Sequence, residues 1–502
     1  PGLVPRSRSP RSRSPPARTR RGLLACAMDP EEFRSLGHRL IDWIADYRLR
    51  ERDAGVYPTV EPGEVRSRLP AEPPEQPRDL LEAFAELEPL LNAGTLKWQH
   101  PRFFGYFPSN ADLASVLGDL VSSGTGQLGL NWEASPALTE LEEHVLGWMR
   151  DLFGLPGEFR GVIQDTASTS TLIALLCARE VASGHAQERG GLQGLQSPLV
   201  VYCSEQSHSS VTKAALLAGF GRENVRPVPT DAGFAMDPER LAAAVRADVA
   251  AGRTPAAVVA SFGTTATLAL DPLEAIAAVA AEHGAWLHVD GAMAGAALLL
   301  PECRPLAAGI GSADSIVINA HKWIGAVFDC SLFFTRRPEH LVRLMSTSPS
   351  YLRTEADHRT TQFRDWGIAL GRRFRALKLW FLLNAEGVEG IRARLRRDIA
   401  NAGWLAERVS AEPGWELVAP AGLQTVVVRH VPAGMGPDDV DAHTLAWARR
   451  INRSGKAYLT PTQLHGRWAV RVSVGALPTE REDVEALWRL MREEATVPAA
   501  GG

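Results

Sequence analysis

Five short apolar runs, at residues 198–203, 256–262, 285–289, 315–318 and 331–334, alternate with helix-length amphipathic stretches between about Trp98 and Leu382. A strand that is apolar along its whole length has to be covered on both faces, and crossover helices cover it when its neighbours run parallel. The alternation therefore predicts an α/β domain around a mainly parallel sheet, spanning residues 98–383. Before it, Phe33, Leu36, Leu40, Ile41, Ile44 and Tyr47 recur at helical spacing and predict one amphipathic helix over 29–52 that needs a partner surface. Six prolines between 57 and 77 force an irregular connector, and a second helix is expected over 79–92 with Asp79 as its N-cap. These form a helical segment over 28–97. After Asn384 a smaller α/β unit is expected over 384–498, with helices at 388–409, 438–453 and from Thr479, and strands at 424–429 and 468–474. No internal repeat is visible.

Charge narrows the partners. The formal net charge is −4, yet residues 1–21 hold seven arginines and no acid, so the body is more acidic than the total suggests and nucleic acid is not its expected partner. Residues 1–27 are rich in Arg, Ser and Pro, lack an apolar run long enough for a signal-peptide core or a membrane span, and should be disordered. They read as an extension ahead of a start at Met28, as an artificial leader, or as a basic tail that binds something; the first two are favoured because periodic sequence begins directly after Met28. Five cysteines form no CxxC pair and suggest neither a disulfide framework nor a metal site. A reducing, cytoplasmic setting without membrane attachment is the default.

The strongest chemical signal is Asn319-Ala320-His321-Lys322-Trp323, directly after an apolar run. A lysine at the C-terminal end of a parallel strand points into the crevice where α/β sheets bind ligands. A second run ends in His288-Val289-Asp290-Gly291-Ala292. A strand-end lysine and a strand-end acid suit pyridoxal 5′-phosphate (PLP), whose ring nitrogen needs a carboxylate beside it. Asp165-Thr166-Ala167-Ser168 opens an apolar helix and could bind the phosphate, although Ser and Thr are also ordinary caps. His208, at another strand-to-helix junction, could lie against the cofactor ring and contact the substrate carboxylate, or merely cap a helix; 263–265 and 369–373 are equally ambiguous alone.

Taken together and in order, WQHPRFFGYFP, NWEASPALTELE, TASTSTLIALLCARE, SEQSHSSV, FGTTATLALDPL, WLHVDGAMAG, ADSIVINAHKWIGAVFDCS and ALGRRFRALKLWF resemble the PLP-dependent group II amino-acid decarboxylases, within them most the aromatic-L-amino-acid decarboxylases, from about Asp29 to Glu494. The resemblance implies a fold-type I, PLP-dependent-transferase-like architecture and a homodimer whose N-terminal helices wrap the partner. It implies Lys322 as the cofactor lysine, Asp290 as the ring-nitrogen partner, His208 stacked on the ring and Ala292 on its other face. Thr265 and Asp271 would lie near the cofactor. Ala167, Ser168, Asn319 and His321 would hold the phosphate, with Leu370 and Gly371 from the other subunit. Trp98, Tyr106, Phe107, Pro108 and Ser109 would line the substrate pocket, and Tyr351, assisted by His208, would protonate Cα. Four positions in three motifs depart from the family without removing a catalytic group: Thr169 where it has Glu, Gly291 and Met293 within its Asp-Ala-Ala-Tyr, and Ala320 where it has Pro. Leu130 stands where the animal enzymes have Phe and alters the ring-stacking surface. The expected reaction is decarboxylation of an aromatic L-amino acid to the amine. The alternatives are an aliphatic or small polar substrate, a decarboxylating aldehyde synthase, and a catalytically silent binding protein.

Overall fold

A computed structural model describes residues 28–347 and 359–497. The basic tail and Tyr351 lie outside the described residues. Seven strands form the main sheet: β1 (Arg160–Gln164), β2 (Leu199–Ser204), β3 (Val225–Val228), β4 (Thr254–Ser261), β5 (Trp286–Asp290), β6 (Ser315–Asn319) and β7 (Ser331–Thr335). Their order is β1-β7-β6-β5-β4-β2-β3. The pairs β2–β3, β2–β4, β4–β5 and β5–β6 are parallel, while β7 runs antiparallel to both β6 and β1. All five apolar runs are strands, and β2, β5, β6 and β7 are buried at every position. This is the mainly parallel α/β architecture that the alternation predicts. The antiparallel return of β7 has a local consequence. Residues 320–330, which carry Lys322, fold back over the end of the sheet instead of crossing to its far side.

A second sheet contains β8 (Trp415–Leu417), β9 (Thr425–His430), β10 (Thr460–Leu464) and β11 (Arg467–Ser473), all antiparallel in the order β10-β11-β9-β8. Alternation along β9 and β11 separates two faces. Val426, Val428, Val470 and Val472 pack with Trp447 and Trp488 of the helices Pro437–Ser454 and Arg481–Thr496. Val427 and Ala469 turn the other way and pack with Phe234, which follows β3. Arg471 shares that inward face, so the second sheet contributes a cation to the first.

The helix Ala376–Ala411 joins the two sheets and is broken at Gly387 (φ 68°, ψ 161°), so the helix expected over 388–409 is its second part. At the other end, the helix Leu80–Gly94 begins where Asp79 accepts bonds from the N–H groups of Leu81 and Glu82 at 2.8 and 3.0 Å. The helix Pro30–Arg50 buries no residue. Among the described residues no helix is long and apolar enough to cross a membrane.

Candidate active site

The carboxyl ends of β2, β4, β5 and β6 open on one cavity of about 200 Å³. It is lined by Phe107, Thr166, Ala167, Ser168, His208, Ser210, Ser261, Gly263, Thr264, Thr265, Asp290, Ala292, Met293, Asn319, His321 and Lys322. This is where an open α/β sheet offers a crevice, because strand-to-helix turns diverge there.

Each central side chain is placed by its own strand end. Asp290 closes β5, and its Oδ1 accepts the Ala292 N–H at 3.1 Å, which holds the carboxylate toward the cavity. Lys322 follows β6 in a non-helical conformation (φ −98°, ψ −113°). Its carbonyl is held by the Asn110 side chain at 2.9 Å, and its Nζ lies 5.3 Å from the centre of the Phe107 ring. Burial drives the ammonium down to about 8, with Asp290 opposing and Arg471 reinforcing the shift. The residue as a whole is only partly buried and lines the cavity. His208 caps the helix Ser209–Leu217 by accepting the Ser210 N–H at Nδ1, which also lies 2.7 Å from Ser210 Oγ. Although the residue is solvent-accessible, desolvation of its ring at the cavity lowers its pKa, Asp290 opposing and Lys322 adding to the effect, which favours the neutral imidazole. His321 accepts the Cys330 N–H at Nδ1, and burial brings it down to about 4.

Most residues expected around the cofactor meet here: Lys322, Asp290, His208, Ala167, Ser168, Thr265, Ala292, Asn319 and His321. Asp271 does not border the cavity. It sits behind it, fully buried, with Oδ1 and Oδ2 each accepting a backbone N–H at 2.7 Å from Met236 and Ser261, and it braces the end of β4. Of the expected substrate residues, Phe107 and His208 reach the cavity wall. Trp98 and Tyr106 stack on each other nearby at 5.7 Å, whereas Pro108, Ser109 and Leu130 do not line it. Leu370 and Gly371 lie on an exposed face beside Leu128, away from this chain's own cavity.

Sequence reasoning missed Arg471. It is 3% exposed, its guanidinium lies 4.7 Å from the centre of the Phe107 ring, and it donates to the Thr265 carbonyl. Burial pulls it down to about 10, and no carboxylate pairs with it among the described residues. Its only sequence signal was a lone cation inside the apolar run of β11. Lys322 and Arg471 against Asp290 leave this region with excess positive charge, suited to anionic ligands.

The residues present fit PLP. The cavity combines a desolvated lysine, a strand-end carboxylate, a helix beginning at Ala167 with hydroxyls on either side of its first residue, and a buried Asn319 Oδ1 with no partner among the described residues.

Three comparisons bear on the same geometry. Residues 62–431 match the family described as the pyridoxal-dependent decarboxylase conserved domain. Phenylacetaldehyde synthase of Arabidopsis thaliana is 38% identical over 93% of this chain and 97% of its own length. Tryptophan decarboxylase 2 of Oryza sativa subsp. japonica is 37% identical over 93% and 95%. The crystal structure of Oryza sativa TDC with PLP and tryptamine superposes with a TM-score of 0.90 at 34% identity, covering 93% of this chain and 98% of that one.

Proposed function

The chain belongs to the pyridoxal-dependent decarboxylase family and is a PLP-dependent carboxy-lyase, and from this premise we propose that it converts an aromatic L-amino acid to its amine and carbon dioxide. The observation that carries the reading is the convergence of Lys322, Asp290 and His208 on one cavity with the buried Arg471 guanidinium beside Phe107 at its edge. Names of relatives that refer to tryptophan and phenylacetaldehyde, and the rings of Trp98, Tyr106 and Phe107 beside that cavity, favour an aromatic side chain.

When bound, PLP supplies the electron sink that makes loss of the carboxylate possible. Lys322 is the covalent attachment point, and its lowered pKa makes the neutral, nucleophilic amine accessible near physiological pH. Asp290 would keep the ring nitrogen protonated. His208, its imidazole shifted toward the neutral form, would pack on the ring and relay a proton. Ala167, Ser168, Asn319 and His321 would hold the phosphate, Thr265 would lie near the cofactor, and Ala292 would support the ring from the other side. Arg471 makes the potential positive where the substrate carboxylate enters. Tyr351 delivers the proton to the substrate Cα after carbon dioxide departs.

The active unit is a homodimer in which Leu370 and Gly371 serve the partner's site. The described cysteines, Cys177, Cys203, Cys303 and Cys330, are buried free thiols, consistent with a reducing cytoplasmic compartment.

The test is incubation of holoenzyme with each amino acid while amine, carbon dioxide and aldehyde are assayed together. Aromatic substrates should give amine and carbon dioxide in equal amounts. Aldehyde matching carbon dioxide would establish an aldehyde synthase, and turnover of aliphatic or small polar amino acids alone would overturn the aromatic reading.

A further inference from the structure

The stretch that brings Phe107 to the cavity wall, with Trp98 and Tyr106 nearby, is held by the second sheet. Tyr458 N–H donates to the Arg102 carbonyl at 3.1 Å, Phe104 N–H to the Tyr458 carbonyl at 2.9 Å, and Ser473 N–H to the Phe104 carbonyl at 3.0 Å. Residues 102–104 thus run along that sheet as an added edge segment.

Side chains then fix the next residues. Tyr106 has φ 41°, a left-handed conformation that a residue with a Cβ holds only when its surroundings enforce it. Thr460 Oγ1 does so by accepting the Tyr106 N–H at 2.7 Å. Tyr458 OH donates to Tyr106 OH at 3.3 Å, and its ring occupies the space beside Gly105, where a Cβ would lie 2.3 Å from Tyr458 Cδ1. Tyr458 also stacks on Phe103 at 5.6 Å and on Tyr57 at 5.9 Å, while Trp98 bridges Phe103 and Tyr106. Immediately beyond Tyr106, Phe107 meets both Lys322 and Arg471. A rotation of the backbone at Tyr106 would therefore carry the Phe107 ring with it.

We propose that Thr460 and Tyr458 are positioning residues for substrate selection: through them the second sheet sets the backbone of Gly105–Tyr106–Phe107, and with it the aromatic wall met by the ring of the bound amino acid. The inference rests on the aromatic-substrate reading. It assigns ring discrimination to a β-strand more than 100 residues along the chain from Lys322.

Thr460→Val keeps the shape and removes the acceptor; Thr460→Ser keeps the acceptor. With the best aromatic substrate of the wild type, Thr460→Val should raise KM about five- to tenfold, the size of one lost hydrogen bond, with kcat within about twofold. The dissociation constant of tryptamine, measured by calorimetry, should weaken in parallel. PLP content and thermal midpoint should match the wild type, and Thr460→Ser should restore KM. Gly105→Ala, whose methyl group displaces the Tyr458 ring, should reproduce the KM rise from the opposite side. A Thr460→Val enzyme with wild-type KM and tryptamine affinity would overturn the proposal. So would one whose KM, kcat and thermal midpoint all decline together, because that pattern belongs to a purely structural residue. Failure of the wild type on every aromatic amino acid would instead remove the functional reading on which the proposal stands.

Discussion

At the scale of single residues, the site depends on a lysine made unlike other lysines by where its strand ends. An ordinary lysine near 10.5 is almost wholly protonated at neutral pH, whereas one near 8 keeps about a tenth of its amine neutral at pH 7. Only the neutral amine can attack the cofactor's aldehyde. Capture of PLP by apoenzyme, followed by visible absorbance, should therefore accelerate about tenfold per pH unit up to about pH 8 and then level off. The sign of the neighbouring acid is also determined: Asp290 raises the lysine's pKa, so Asp290→Asn should move the break to lower pH. A break that stays near pH 10 in the wild type would show that Lys322 is not desolvated as described.

Between elements, a buried ion pair fastens the segment that leads to Leu370 and Gly371. Glu142, in the helix Pro136–Phe153, is fully buried and lies 2.5 Å from Arg372 Nη2. Glu142 Oε1 also accepts the Ile163 N–H of β1 at 2.8 Å, and Arg372 donates to the Ile163 carbonyl at 3.0 Å while packing on the Phe363 ring. Three parts of the chain thus meet on one pair. Glu142→Ala strands a buried guanidinium, and denaturant unfolding should show a loss of about 3–5 kcal/mol. Glu142→Leu combined with Arg372→Met removes both charges and should recover most of that loss. A single variant as stable as the wild type would mean that water reaches Arg372.

For the whole molecule, the described surface carries an apolar face that one chain leaves uncovered. On the helix Leu113–Thr125, Ser115, Gly118 and Ser122 are buried, while Leu113, Leu117, Leu120 and Val121 are 42–46% exposed. Leu128, Phe328, Ile368 and Leu370 are exposed as well; Leu128 lies against Gly371, and Val327, next to Phe328, is bonded to Ser115 Oγ. A monomer rarely displays so many large apolar side chains on connected segments. If this face closes the proposed homodimer, Leu117→Lys together with Leu120→Lys should shift its sedimentation to that of a monomer. It should also weaken PLP retention, because Leu370 and Gly371 would no longer reach a second site. A variant that remains dimeric would exclude this face as the interface.

The five central strands were readable from sequence because burial on both faces leaves an uninterrupted apolar run, and the same logic located Asp290, Asn319 and Lys322 at or just beyond strand ends. Edge and short strands lacked that signature. β3 reads Val-Arg-Pro-Val, β10 reads Thr-Pro-Thr-Gln-Leu, and β8 has three residues, since an edge tolerates proline and charge that a central strand does not. Motif order along the chain was enough to identify the family and the reaction class. What only the tertiary structure decided is how distant segments share one cavity. Asp271 was expected at the cofactor but is consumed in bracing β4, because two backbone N–H groups converge on it. The sequence around Arg471, Tyr458 and Thr460 does not tell what they meet, because a local pattern tells which residues face inward but not what lies opposite them. That depends on the packing of one sheet against the other, a contact between segments widely separated in sequence.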